Sequence, residues 1–292
     1  MKKFLLFTGG LFITFFLVNV LYILILPAVD WDFGKTKEAH QFKNKNIKIL
    51  VFGNSASLDG INTQMLSDSV AEAYNFSVGG ASLQSNYIQL KSYLQNNQTP
   101  QKVLLFLTSA HILYQPAAEI NPIIDYYYSP GNTFKAVKDI PTFKFRWLFL
   151  EWVKKILSPN HRAATIIKGQ LSIKNIVPDN SVYHTKEVTC KADTFYNNSG
   201  YYYMWQIQQL CKQKGIQFQV FEMPCWKDVQ DNCGNYNIKN KATNESLQII
   251  NLNDAGTYAA TLNPQQDWLS RNHLNYYGAI KITNAVATII KK

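Results

Sequence analysis

Three short segments hold residues that could do acyl-transfer chemistry together. The first is Gly53-Asn54-Ser55-Ala56-Ser57. A serine hydroxyl becomes a strong nucleophile only when a base takes its proton. Placed where a buried strand turns into a helix, it is exposed at the sheet edge beside backbone N–H groups. Taken alone, Gly53-Asn54-Ser55 reads more readily as a helix cap. The second segment is Asn75-Phe76-Ser77-Val78-Gly79-Gly80. Its glycines permit a left-handed turn or a close backbone approach, so that a glycine N–H can face an oxyanion. An ordinary strand-to-helix turn would look the same. The third is Arg271-Asn272-His273-Leu274-Asn275, followed by Tyr276-Tyr277-Gly278. A neutral imidazole there can act as general base to the Ser55 hydroxyl and return the proton to a leaving group. A lone loop histidine is usually structural; only the three segments together raise the reactive reading above the plainer ones.

These segments meet only if the intervening elements bring them to one rim. Residues 47–53 (IKILVFG) read as a buried strand that ends in glycine. A helix is expected at 58–70, a strand at 74–80 and a helix at 83–94. The run Val103–Thr108 is almost wholly apolar, as a central parallel strand should be. A helix at 201–214, a strand from Ile216 and a final amphipathic helix at 275–290 complete the pattern. This alternation predicts an α/β fold with a doubly wound parallel sheet, whose ligands gather at the C-terminal ends of the strands. Residues 112–200 interrupt it. Within them a helix at 145–157 puts Phe145, Leu148, Phe149, Trp152, Val153 and Ile156 on one stripe, which suits a core cover, a lid or a membrane-interface helix.

The N-terminus adds a location. Lys2 and Lys3 precede Phe4–Leu26, which carries no charge and is long enough to cross a bilayer. The run lacks a small-x-small cleavage site, so an uncleaved signal anchor is expected, with a cytoplasmic N-terminus and the rest outside. The expected organisation is a cytoplasmic tip and anchor at 1–29, a linker at 30–46 and one domain at 47–292 with an insertion at about 112–200. The net charge is +10, but the basic residues are scattered with no aromatic-interleaved run. Nucleic acid is therefore not an expected partner. The four cysteines, Cys190, Cys211, Cys225 and Cys233, lack zinc-site spacing. No metal or other cofactor is expected. Cys225 and Cys233 bracket a short loop and are the favoured disulfide pair, while Cys211 is expected as a buried thiol.

The three segments resemble the sequence blocks of the SGNH (GDSL-like) hydrolase superfamily over roughly residues 47–292. Gly53-Asn54-Ser55 is similar to its first block, with Asn in place of Asp. The resemblance implies a flavodoxin-like strand order and makes Ser55 the nucleophile and an oxyanion donor through its own N–H. It makes Gly80, five residues after Asn75, a second donor, and His273 the general base. Two positions depart from the family pattern. Ala110 stands where an asparagine donor is usual, leaving Ser109, His111 or another group to complete the hole. Ser270 stands where an acid is usual; Asp267 could orient the imidazole if its loop bends, and otherwise the unit is a Ser–His dyad.

The resemblance implies a membrane-anchored bacterial serine esterase or O-acyltransferase. Its substrate would be an acyl, best an acetyl, ester of a cell-envelope polysaccharide or teichoic-acid-like polymer, with a multi-span membrane acyltransferase as a partner. The alternative is an SGNH-fold binding or assembly protein with a decayed site that positions an envelope glycan or such a partner, motivated by Ala110 and Ser270.

Overall fold

The computed structural model describes residues 1–108, 120–129, 144–157, 164–174, 194–195, 199–225, 233–240, 242–254, 256–270 and 273–291. In chain order the elements are α1 (Lys2–Val29), α2 (Trp31–His40), β1 (Ile49–Phe52), α3 (Ser55–Gly60), α4 (Thr63–Ser69), β2 (Ala73–Asn75), α5 (Leu83–Asn96), β3 (Lys102–Leu107), α6 (Pro122–Tyr128) and α7 (Arg146–Leu157). They continue with β4 (Ala164–Ile167), β5 (Gln170–Ile173), β6 (Thr194–Phe195), α8 (Ser199–Gln213), β7 (Gln217–Glu222), β8 (Tyr236–Lys239), β9 (Ser246–Asn251), β10 (Trp268–Ser270), β11 (His273–Leu274) and α9 (Tyr276–Ile290). The chain divides into two compact units: residues 1–41 with 122–161, and residues 42–121 with 162–292.

The second unit is built on an α/β sheet. Among the described residues seven strands pair in the order β2-β1-β3-β7-β9-β8-β6. The strands β2, β1, β3, β7 and β9 run parallel, and β8 turns antiparallel against β9. In β1 and β3 the side chains alternate between two covered faces, which is why both strands are apolar throughout. On one face Ile49, Val51, Leu104, Phe106 and Phe221 pack with Ile282, Val286 and Ile290 of α9. Phe106 and Phe221 stack with ring centroids 4.9 Å apart. On the other, Phe52 stacks on Phe76, which meets Tyr93 of α5 edge-on.

The helix expected at 58–70 is two helices. Asn62 breaks it by capping α4, its Oδ1 accepting from Met65 N–H at 3.0 Å. The strand expected at 74–80 stops at Asn75; Phe76 N–H still donates to the Val51 carbonyl, but the Ser77 N–H is taken by Asn75 Oδ1 and not by β1. The β4–β5 hairpin within the interruption was not anticipated. Its two-residue turn, Lys168-Gly169, has positive φ at both positions, as the tight hairpin turn requires.

The first unit is helical. α1 contains a stretch, Lys2–Ala28, long and apolar enough to cross a membrane. Residues 31–40, expected as linker, form α2, capped by Asp30, whose Oδ1 accepts from Phe33 N–H at 2.9 Å. Phe33, Leu26, Ile123, Phe145 and Leu148 form the buried cluster of this unit, with Phe33 and Phe145 edge-on at 4.8 Å. So α6 and α7, from the interruption of the α/β pattern, pack with α1 and α2. Of the stripe expected on α7, Phe145 and Leu148 are buried, Val153 is half-buried and Phe149 is exposed. The side chains of Trp152 and Ile156 lie outside the described residues.

The expected Cys225–Cys233 pair is not formed. Cys233 is disulfide-bonded, whereas Cys225 and Cys211 are buried thiols outside any disulfide. Cys225 is held in the interior, its N–H donating to Asn253 Oδ1 at 2.7 Å. Burial pushes the Cys211 thiol up to about 12.

Candidate active site

The site begins where β1 runs into α3. Gly53 is needed there for space: a Cβ on it would lie 2.6 Å from the Phe106 carbonyl oxygen and 2.2 Å from Ser57 Oγ. Asn54 then caps α3, its Oδ1 accepting from Ala56 N–H at 3.0 Å. Either Asn or Asp can do that capping, which accounts physically for Asn at this position. Ser55 is the first residue of α3. Behind it Ser57 Oγ, fully buried, lies 2.8 Å from Ser77 Oγ and 2.9 Å from the Asn54 carbonyl. Asn75, also fully buried, donates to the Ser57 carbonyl and accepts from Ser77 N–H, both at 2.9 Å. Thus the Asn75–Gly80 segment is pinned to the turn that carries Ser55.

His273 arrives from the other end of the chain on β11, a two-residue strand paired with β10. Leu274 and Trp268 are buried beside it, and Asn275 at once caps α9 by accepting from Tyr277 and Gly278 N–H. The imidazole is therefore fixed between a core anchor and a helix start. Its Nε2 lies 3.4 Å from Ser55 Oγ, and its Nδ1 lies 2.6 Å from Asp59 Oδ2. The carboxylate on Nδ1 sets the tautomer: Nδ1–H donates to Asp59, and Nε2 is left to accept from the Ser55 hydroxyl. The Ser–His separation exceeds the 2.6–3.2 Å of a tight bond, a looseness common in resting hydrolytic sites.

Asp59 is the residue that the sequence reading missed. It lies four residues after Ser55 on α3, so both side chains project from one helix face toward His273. That i,i+4 spacing was the available signal. The side chain of Asp59 is only 7% exposed, so its bond to His273 is poorly screened by water. The β4–β5 hairpin supports the same helix. Gln170 Nε2 donates to the Asp59 carbonyl at 3.2 Å, and Leu171 and Ile173 pack on Leu58.

Asp267, expected as the orienting acid, is engaged elsewhere. Its Oδ2 accepts from Asn263 N–H at 2.5 Å and from Lys281 Nζ at 2.6 Å. It is buried in the loop before β10, and its carbonyl accepts from Asn275 N–H, so it braces the loop and α9. Ser270 pairs with His273 across β10 and β11. Gly80 adopts φ +67, a conformation that glycine reaches without strain. Beside it Asn121, buried, donates from Nδ2 to the Gly79 carbonyl at 2.7 Å and from its N–H to Ser85 Oγ at 2.9 Å. An amide side chain is thus held at the Gly79–Gly80 turn by Asn121 and not from position 110, which is Ala. Ser109, Ala110 and His111 lie outside the described residues.

Among the described residues no three His, Cys, Asp or Glu side chains gather as a metal site. What the arrangement can do chemically is move a proton from the Ser55 hydroxyl to an imidazole already paired with a carboxylate. Set against known proteins, the chain matches no family model and no curated protein.

Proposed function

We propose that the chain is a membrane-anchored serine esterase or O-acyltransferase of SGNH type, acting outside the cytoplasm of a bacterial cell on acyl esters of an envelope polysaccharide. The observation that carries this reading is the Ser55–His273–Asp59 relay, drawn from the two ends of the α/β unit. A supporting one is that the parallel strands, counted in chain order, run 2-1-3-4-5, the order of flavodoxin-like sheets.

In the proposed reaction Ser55 Oγ attacks the ester carbonyl carbon as its proton passes to His273 Nε2. Asp59 stabilises the imidazolium so formed. The N–H groups of Ser55 and Gly80 receive the oxyanion. Collapse breaks the bond between the acyl carbon and the leaving oxygen, and the imidazolium protonates that oxygen. The acyl-serine is then released to water, giving hydrolysis, or to a polymer hydroxyl, giving transfer, with His273 again as base. An acetyl ester of an anionic glycan or teichoic-acid-like polymer is the proposed substrate, with a multi-span acyltransferase as the proposed partner for transfer. The net charge of +10 agrees with an anionic polymer.

The other reading, a decayed binding module, drew on the missing acid at Ser270 and the missing amide at Ala110. Asp59 on His273 and Asn121 at Gly79 weaken both motives. A fluorophosphonate probe on the detergent-solubilised full chain tests the choice. Stoichiometric labelling that Ser55→Ala abolishes is expected; an unlabelled, folded protein would favour the binding module.

A further inference from the structure

The helical unit carries an apolar surface that no described part of the protein covers. Leu148 of α7 and Phe145, the residue just before that helix, are buried against Leu26 and Phe33. On another face of the same helix Trp147, Leu150 and Leu157 are 48%, 61% and 76% exposed. Their steps of three and seven residues align them along one side. A helix apolar on two sides has one side too many for a protein immersed in water.

Depth says what covers the second side. The Tyr22 hydroxyl of α1 donates to the Phe145 carbonyl at 2.7 Å, which fixes the start of α7 against α1. Tyr22 lies six residues before Ala28, the end of the apolar stretch, or about 9 Å along a helix rising ~1.5 Å per residue. The 27 residues of that stretch make about 40 Å of helix, against roughly 30 Å of hydrocarbon. Centred in a bilayer, α1 would hold Tyr22 close to the boundary between headgroups and acyl chains, where tyrosine and tryptophan collect. On α1, Leu21, Leu24 and Ile25, neighbours of Tyr22 in the chain, are exposed apolar side chains as well. Cations flank the exposed side of α7, with Arg146 exposed and Lys144 partly so, as suits lipid phosphate.

We propose that α7 lies in the outer interface of the membrane that α1 crosses, with Trp147, Leu150 and Leu157 seated among lipid headgroups and upper acyl chains. The occupant of the uncovered face is lipid. This inference rests on reading α1 as a membrane anchor, and the experiment separates the two. The full chain is reconstituted in phosphatidylcholine–phosphatidylglycerol vesicles after an environment-sensitive fluorophore is attached to Leu150→Cys or, in a second variant, Leu157→Cys. Among the described residues the native thiols, Cys211 and Cys225, are buried and should not compete. Leu17→Cys, in mid-span on α1, and Lys37→Cys, exposed on α2, are the references. The labels at 150 and 157 should emit to the blue of the label at 37. They should be quenched several-fold more by lipids with a nitroxide at acyl carbon 5, and be several-fold less open to aqueous iodide. Labels at 150 and 157 that behave like the one at 37, while the label at 17 is quenched by a nitroxide at carbon 12, would overturn the interface helix and leave the anchor standing. A blue shift with no nitroxide quenching at 150 and 157 would mean a protein covers the face, and would overturn it too. Failure of lipid quenching at 17 would remove the anchor and this inference with it.

Discussion

Replacing Asp59 by Asn changes one atom pair and tests the relay directly. The carboxylate lies 2.6 Å from His273 Nδ1, and its side chain is 7% exposed. Removing the charge has two consequences. The imidazolium that forms during acylation loses its counter-charge, and the introduced amide can donate to Nδ1, which would leave a proton on Nε2 facing Ser55. A carboxylate-to-amide change of this kind costs about 10⁴ in kcat where it has been measured in serine hydrolases. Four decades correspond to ~5.4 kcal/mol of transition-state stabilisation. The looser Ser55–His273 contact, 3.4 Å, does not lower that figure, because the contact tightens only on the way to the transition state. The assay is the pre-steady-state release of p-nitrophenol from p-nitrophenyl acetate by the solubilised full chain, with circular dichroism to verify folding. Asp59→Asn should lose about 10³–10⁴ in kcat with KM within about threefold, and Asp59→Asn/Ser55→Ala should be no worse than Ser55→Ala alone, as for residues acting as a unit. An Asp59→Asn protein that keeps a tenth or more of the wild-type rate would refute the relay. So would a folded Asp267→Asn protein that falls as far.

The bracing role of Asp267 predicts the opposite profile for its partner. Lys281→Met leaves a buried carboxylate without its cation and should lower stability by about 1–3 kcal/mol, the modest end for such pairs because Lys281 is 40% exposed. The acylation rate per folded molecule should change less than threefold. Gly53→Ala should cost about 1–3 kcal/mol by overpacking against Phe106 and Ser57; an unchanged thermal midpoint would show that the turn has room. Asn75→Leu strands the Ser57 carbonyl and Ser77 N–H and should destabilise by about 1–3 kcal/mol, read by urea denaturation. Cys211 should resist iodoacetamide in the folded protein at pH 8 and react once it is unfolded. Because folding raises its pKa from 9.0 to about 12, the stability it lends is complete below pH 9 and is lost as pH climbs toward 12.

Much of the architecture was legible because its signals are local. Short apolar strands such as Ile49–Phe52 and Lys102–Leu107, with intervening helical periodicity, declare a sheet covered on both faces. Likewise, an uncharged run from Phe4 to Leu26 declares a helix fit for lipid. Ser55 and His273, 3.4 Å apart in the structure, stand out for the same reason: each sits at the edge of an element with a recognisable start or end. The choice of acid was not local. Asp59 is near Ser55 in the chain and Asp267 near His273, and only the packed positions of β10, β11 and α9 turn Asp267 toward Lys281 and bring Asp59 onto His273. The same holds for residues 31–40, whose helix is stabilised by burying Phe33 against Phe145, more than a hundred residues away, and for Cys225, buried with its N–H on Asn253. Periodicity and turn chemistry report what a segment can become, whereas the partner a side chain finally meets is decided by contacts between segments far apart in the chain.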